Sequence, residues 1–420
     1  MNWRELKDRR LTELGGAVSG GLDSSVVTHW LSSKGFSVFA TTVNLGQPDE
    51  ENLDAVADRM ISCGATEATI MDGREALAEA GLRVIQAQAR YEGGYWNTTG
   101  IARPITVQTI LPKLQERDIE VLFHGATGRG NDQVRFQIAA NTLAPGLEVY
   151  APWRDPEFVA EFPGRLEMID YCQIHELPIK PPSVARYSTD ANMLGLTHEA
   201  GDLENVGKPP SFVEPGMGVW AWDAPDKHEI VSVRWEEGRP TSINEKDLSL
   251  IEIIDLANRI AGKHGVGIGA HTVENRFVGV KSRGIYEAPG IELLGRSYEY
   301  LLQLILDRRA TEFLQLISST ISKQVYEGYW LDVATTSALA ALDPITQLAT
   351  GTINVRLYKG DVYFESADNK PESMPYSLYT DDSSMEAQGS FNHTDAEGFL
   401  KILGVSARNV GTNQFPKLGR

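Results

Sequence analysis

Ser19-Gly20-Gly21-Leu22-Asp23-Ser24-Ser25 stands between a short apolar stretch, Leu14-Gly15-Gly16-Ala17-Val18, and a segment, Ser24 to Lys34, whose Val26, Val27, Trp30 and Leu31 share one helical face. A strand, two glycines and a helix that opens on serines let backbone N–H groups converge on an anion, and the helix dipole adds favourable potential. Ser19, Ser24 and Ser25 contribute hydroxyl donors. A bare Gly-Gly pair also fits an ordinary capped turn, and the preceding strand is glycine-rich and weak. The chain contains no Gly-x-x-x-x-Gly-Lys-Ser/Thr, so a Walker-type phosphate loop is excluded.

Outward from this loop, the chain alternates strand and helix signals. Phe36 to Asn44 reads as a strand bounded by glycines, Asp49 to Cys63 as a helix, Glu67 to Met71 as a strand and Arg74 to Ala89 as a helix. Pro104 to Asp118 is helix-like, with Pro112 expected to kink or break it. Ile119 to His124 is another strand. Such alternation predicts βαβ units and a mostly parallel sheet, with ligands beyond the carboxyl ends of its strands. After the proline-rich stretch Leu177 to Pro182 the pattern becomes mixed, which places a boundary near residues 175–185. Glu229 to Trp235 alternates as a strand, Asp247 to Lys263 and most of Tyr298 to Tyr329 read as helices, and Thr352 to Glu365 as a hairpin around Lys359-Gly360. From Asp381 the chain is polar and Gly/Asn-rich and reads as an extended arm.

Bulk properties narrow the function. The 420 residues suggest two or three domains, and 42% hydrophobic with 23% charged residues is ordinary for a globular chain. A net charge of −18, from 39 basic and 57 acidic residues, argues against a nucleic-acid backbone as partner. Two cysteines, Cys63 and Cys172, make no disulfide framework and fit a reducing compartment. No apolar run approaches membrane-spanning length, so the expectation is a cytoplasmic protein with no membrane partner.

A second glycine-rich loop, Gly125-Ala126-Thr127-Gly128-Arg129-Gly130-Asn131-Asp132, follows the 119–124 strand and is expected at the same sheet edge. Thr127, Asn131 and Asp132 suit an amino acid's ammonium and carboxylate, and Arg135 can add a bidentate contact. The Ser19–Ser25 unit resembles the pyrophosphate loop of N-type ATP pyrophosphatases. Gly125–Phe136 as a whole resembles the argininosuccinate synthase family, as do Tyr187–Glu204, Glu274-Asn-Arg-Phe277 with Lys281–Glu287, and Tyr95-Trp-Asn-Thr-Thr99 with Arg103. The similarity runs from about residue 12 to the C-terminal arm.

The resemblance implies an α/β fold: a parallel, doubly wound nucleotide-binding domain over 1–180, a mixed α+β synthetase domain over 181–380, and an oligomerisation arm over 381–420 of a homotetramer. It also implies a ligase that joins citrulline to aspartate through a citrullyl-adenylate, consuming ATP with Mg2+ and releasing AMP and pyrophosphate. ATP is then expected on Ala17, Val18, Ser19, Gly20, Gly21, Leu22, Asp23, Ser24 and Ser25, with Val43, Gly125, Asp132 and Asp190; Ser19 and Asp23 carry the catalytic role, and magnesium comes with the nucleotide rather than on protein ligands. Aspartate falls to Thr127, Asn131 and Asp132. Citrulline falls to Tyr95, Asn131, Arg135, Ser188, Thr197, Glu199, Glu274 and Tyr286, with Arg103 a further anion contact. His124 and His198 flank these loops, but a ureido oxygen needs no base before it attacks. Trp30, Trp96, Trp220 and Trp222 read as packing.

Val18 stands where the family pattern has an aromatic residue, Val43 where it has a smaller one, and Gly100 where serine or proline is common. These departures keep two rivals open at this stage: an aspartate ligase for another ureido or carbamoyl compound, and a non-catalytic sensor on the same fold. In the arm, Phe391, Phe399, Leu400, Ile402 and Leu403 are candidate anchors.

Overall fold

The computed structural model describes residues 1–50, 52–92, 94–127, 130–178, 186–277, 279–380, 389–390 and 392–414. They fall into two compact units, Met1–Tyr376 and Ser377–Arg420. Residues 179–185 of the expected boundary, 381–388 of the arm, and Phe391 lie outside the described residues.

The larger unit opens with α1 (Trp3–Asp8), β1 (Glu13–Ala17), α2 (Leu22–Ser33), β2 (Ser37–Asn44), α3 (Leu53–Ser62), β3 (Glu67–Asp72) and α4 (Arg74–Gln86). α5 (Thr98–Glu116), β4 (Val121–His124), α6 (Asp132–Leu143), β5 (Glu148–Tyr150), α7 (Pro156–Glu161) and α8 (Arg165–Ile174) follow. Five parallel strands lie in the order β3-β2-β1-β4-β5. The direction of winding reverses between β1 and β4, where the loops leaving neighbouring strands part and open a crevice. Both glycine loops follow those two strands, Ser19–Ser25 after β1 and Gly125–Asn131 after β4.

Packing explains the glycines that weaken β1 as a sequence. A Cβ on Gly16 would stand 2.2 Å from the Phe123 ring of the adjacent strand, and one on Gly15 only 2.4 Å from Leu114 of α5. The central strand must be thin for large side chains to close over it. Pro112 neither breaks nor ends its helix: α5 runs through Pro104 and Pro112. Its Ile101, Ile105, Val107, Ile110 and Leu114 are buried, and that burial outweighs the two backbone bonds the prolines cannot donate.

Further along lie β6 (Ser188–Asn192), β7 (Gly195–Glu199), β8 (Glu229–Glu236), β9 (Arg239–Ile243), β10 (Lys246–Asp247), α9 (Leu250–Lys263), β11 (Ile268–Asn275) and β12 (Lys281–Glu287). Next come α10 (Pro289–Ile305), α11 (Arg308–Glu327), α12 (Val333–Ala340), α13 (Asp343–Thr346), β13 (Gly351–Tyr358) and β14 (Asp361–Ala367). They build two antiparallel sheets, β10-β9-β8-β13-β14 and β11-β12-β7-β6. A capping box of Ser249 and Glu252 starts α9. The expected helix over 298–329 is two helices, because Asp307 accepts from the Ala310 N–H at 2.8 Å and caps a new start.

The smaller unit corrects the extended-arm reading: His393–Gln414 is a helix, α14. Asn392 accepts from the Thr394 N–H at 3.0 Å at its start, and Glu397 pairs with Lys401 one turn on, which offsets the glycines at 398, 404 and 411. Among the described residues, no helix is long and apolar enough to cross a membrane.

Candidate functional site

The first glycine loop is held by its own side chains. Ala17 ends β1, and the Val18 N–H reaches the Thr41 carbonyl at 3.0 Å. The Ser19 N–H donates to Ser24 Oγ at 3.0 Å, and the two hydroxyl oxygens lie 3.3 Å apart. Gly20 turns the chain at φ +72°, and Arg59 Nη1 donates to its carbonyl at 2.7 Å. A Cβ there would also meet Val56 at 2.6 Å, so both conformation and space require glycine. Gly21 caps α2 without a side chain, which leaves the helix N-terminus open for a ligand's oxygens.

Asp23, in the first turn of α2, meets the second loop. A Cβ on Gly125 would stand 3.3 Å from Asp23 Cβ. Burial pushes the Asp23 carboxyl above its ordinary range, opposed by a hydrogen bond from Trp153 Nε1 at 3.1 Å and by Arg165. One carboxylate beside serine hydroxyls is a donor set that fits a hard cation arriving with a phosphate ligand. Val43 sits on β2, buried, where Gly73 leaves room for it: a Cβ on Gly73 would lie 2.7 Å from Val43 Cγ1.

Asp132, at the start of α6, centres a chain of alternating charge. Arg103 donates to Asp132 Oδ2 at 2.8 Å and also to Asp190, while Arg135 donates to Asp132 Oδ1 at 2.8 Å. Burial alone would raise Asp132, but the two arginines hold it well below the usual carboxylate range. Arg103 is lowered by burial and raised more by Asp132 and Asp190, so it stays charged. Arg135 also donates to the Tyr326 carbonyl from Nε at 3.0 Å and Nη2 at 2.7 Å. Asn131, buried, accepts from the Phe277 N–H at 3.2 Å. Thr127 is exposed in the loop, and Gly128 and Arg129 lie outside the described residues.

The four-stranded sheet assembles the remaining expected residues. Its register pairs Ser188 with Glu199, Asp190 with Thr197, Thr197 with Tyr286 and Glu274 with Ser282. Directly opposed residues share a face, and alternate residues along a strand do too. Ser188, Asp190, Thr197, Glu199, Tyr286 and Glu274 therefore lie on one face. Tyr286 stacks on Tyr95 with centroids 4.0 Å apart, and Tyr95 Oη accepts from the Thr99 N–H at 3.0 Å. Thr99 and Thr197 hydroxyls meet at 2.9 Å, which ties this face to the start of α5. Ser282 donates to Glu274 at 3.1 Å, and Arg276 to Glu199 at 3.0 Å. Glu199 is pushed up to about 7, first by burial and then by Asp132 and Glu274 against Arg276, although its side chain keeps 43% exposure.

Neither histidine is placed as a base toward this face. Burial, with Arg154 adding to it, pushes His124 down to about 3, and its Nδ1 accepts from the Ala126 N–H at 3.2 Å. His198 points to the opposite sheet face, where Nε2 lies 2.5 Å from Glu287. Trp30 and Trp96 are buried as packing residues, and Trp220 stacks on an exposed Trp222. Trp153, Arg276 and Tyr326 contact the expected residues without having been singled out in the sequence. Tyr326 meets Arg135 across 191 positions, which no local motif encodes. Trp153, in the turn Pro152–Arg154 after β5, reaches Asp23 across 130 positions, which no local motif encodes either.

The sequence matches two family models in tandem: "Arginosuccinate synthase N-terminal HUP domain" over residues 15–178 and "Arginosuccinate synthase C-terminal domain" over 187–410. A curated argininosuccinate synthase from Rhodopirellula baltica is 40% identical across 94% of this chain and 97% of its own length. Its counterpart from Thermotoga sp. (strain RQ2) is 36% identical across 92% and 94%. That from Desulfitobacterium hafniense (strain DSM 10664 / DCB-2) is 36% identical across 93% and 95%.

Proposed function

We propose the function of this chain from the premise that it belongs to the argininosuccinate synthase family: it is an ATP-dependent carbon–nitrogen ligase joining L-citrulline to L-aspartate in arginine biosynthesis. The observation that carries the residue-level reading is the meeting of two surfaces. Both glycine loops leave neighbouring strands at the winding reversal, and the Asp132 chain links them to the sheet face that bears Glu199, Glu274 and Tyr286.

The ureido oxygen of citrulline attacks the α-phosphorus of ATP, the bond to the bridging oxygen breaks, and pyrophosphate leaves. The aspartate amine then attacks the ureido carbon of the citrullyl-adenylate, and AMP departs. No protein nucleophile takes part, so the protein's work is alignment and charge stabilisation. In this reading Ala17, Val18, Gly20, Gly21, Leu22 and Ser25 shape the loop, while the hydroxyls of Ser19 and Ser24 and the N-terminal amides of α2 hold the pyrophosphate end. Asp23 and the loop hydroxyls would hold the magnesium carried by ATP, which would supply neutralisation of phosphate charge. Val43, Gly125 and Asp190 border the nucleotide.

Thr127, Asn131 and Asp132 hold aspartate. Citrulline lies along Tyr95, Ser188, Thr197 and Tyr286, its α-ammonium toward Glu199 and Glu274 and its α-carboxylate toward Arg135 and Asn131. Arginine has five N–H groups. In Arg135 one on Nε and one on Nη2 go to Tyr326 and one on Nη1 to Asp132, which leaves one on each Nη for a substrate carboxylate. Arg103 holds Asp132 and Asp190 in place rather than meeting substrate directly.

Pyrophosphate release with ATP, aspartate and a panel of ureido compounds tests the assignment. Turnover with citrulline is expected. Its absence beside turnover with another acceptor overturns the acceptor, and ATP binding with no turnover on any acceptor overturns the ligase. The same reading divides the chain at 1–180, 181–380 and 381–420, with a cytoplasmic location that two buried free cysteines support. It also takes the chain as a homotetramer joined through the arm. On α14, Phe399, Leu400, Ile402 and Leu403 are 58–74% exposed, and the mass in solution checks the assembly.

A further inference from the structure

Trp153 has no part in the chemistry above. It lies in the short turn Pro152–Arg154 after β5, beyond the same carboxyl edge of the parallel sheet as the glycine loops. Its indole Nε1–H donates to Asp23 Oδ1 at 3.1 Å. The ring packs edge-on against Phe158 at 5.6 Å, and Phe158 packs edge-on against Trp30 of α2 at 5.2 Å. The surrounding segment is pinned by Asp155, which is fully buried. That carboxylate accepts from the Tyr150 hydroxyl at 2.7 Å, the Trp3 N–H at 2.8 Å and the Glu157 N–H at 3.0 Å. Trp153 is thus held from both sides, by the N-terminal segment and by the helix that begins at the nucleotide loop.

Asp23 gains from a partner of this kind. Burial works against its ionised form, and the indole hydrogen bond works for it. A neutral N–H donor engages one carboxylate oxygen and leaves the full negative charge to act on a cation. A guanidinium in the same place would cancel that charge. The indole is also stiff, with only two side-chain torsions, so its grip on the carboxylate costs little conformational entropy.

We propose that Trp153 is a positioning residue for the ATP half of the reaction: its indole N–H orients the Asp23 carboxylate toward the magnesium-bearing pyrophosphate end of ATP. The inference rests on the assignment of Asp23 made above. Trp153→Phe keeps a packed ring and removes the N–H, whereas Phe158→Leu loosens the packing behind the ring and keeps the N–H. Each variant is followed by pyrophosphate release across a magnesium titration, by calorimetric ATP affinity with and without magnesium, and by melting temperature.

Trp153→Phe is expected to raise the magnesium half-saturation about 10-fold, as the loss of one hydrogen bond to a charged group would. It should lower kcat while leaving the KM values for citrulline and aspartate and the magnesium-free ATP affinity unchanged. Phe158→Leu should lower the melting temperature without moving the magnesium dependence. A Trp153→Phe enzyme with wild-type magnesium dependence, or one that merely reproduces Phe158→Leu, overturns the inference. Asp23→Asn separates the two levels. If it retains wild-type turnover, the Asp23 assignment falls and this inference with it. An inactive Asp23→Asn beside an unaffected Trp153→Phe overturns the inference alone.

Discussion

The crevice between β1 and β4 and the face of the β11-β12-β7-β6 sheet handle charge by opposite means. In the crevice, the groups available to a ligand are backbone amides, serine hydroxyls and a helix N-terminus, with one carboxylate, Asp23, among them. Partial charges of this sort suit a polyanion, and their strength does not change with pH. On the sheet face and beside it stand ionisable side chains: Arg103, Asp132, Arg135 and Asp190 form one chain of contacts, while Glu199 meets Arg276 and Glu274 meets Ser282. Full charges suit a zwitterionic amino acid, but each buried one depends on its neighbours. One half of the site is therefore robust and local, the other sensitive and cooperative.

The largest test of that contrast is Asp23→Ala. It removes the carboxylate of the crevice and should cut pyrophosphate release on the order of 100- to 1,000-fold. Near-normal release would mean the amides and hydroxyls suffice. Asp132→Asn strikes the cooperative half. It takes their shared carboxylate from Arg103 and Arg135, which keep Asp190 and the Tyr326 carbonyl, and urea denaturation should show a loss of about 1–3 kcal/mol. An unchanged midpoint would mean that the two arginines relax into water.

Glu199 gives the pH test. Its carboxyl is raised to about 7 by burial, so between an ordinary glutamate's range and pH 7 the folded chain holds a proton that the unfolded chain has released. That stabilising contribution is present at low pH and is lost as pH rises through about 7. Binding an α-ammonium runs the other way, because it needs the ionised form. kcat/KM for citrulline should therefore climb through pH 7, and Glu199→Gln should flatten the climb while leaving the magnesium dependence untouched. The smallest effect belongs to Thr127→Ala, an exposed hydroxyl, expected to raise the KM for aspartate about 2- to 10-fold and to leave that for citrulline alone. Equal changes in both KM values would show that the loop is shared rather than divided.

Legibility in the sequence followed the same divide. The Ser19–Ser25 loop, its flanking strand and helix, and the alternation that builds the parallel sheet are local patterns, and each was readable within a dozen residues. The positions proposed for citrulline, such as Ser188, Glu199 and Glu274, come from resemblance, since nothing in their immediate surroundings marks them. Trp153 escaped because an indole donor is indistinguishable from a packing residue until its partner is known. The arm was misread where glycine and asparagine content outweighed helix signals such as Glu397 and Lys401. Leu306-Asp307 was read through as continuous helix because the capping carboxylate looks like any surface aspartate.

What the sequence determined by itself was the strand–helix alternation of the first half and the family, because the first depends on backbone preferences and the second on motifs of a few residues each. Tertiary structure alone decided that β1 lies beside β4, so that Gly125 touches Asp23, and that antiparallel register turns scattered residues into one polar face. The physical reason is range. Hydrogen-bonded periodicity acts over a few residues, whereas tertiary contacts join positions such as Arg135 and Tyr326, 191 apart, and only the folded chain brings them within bonding distance.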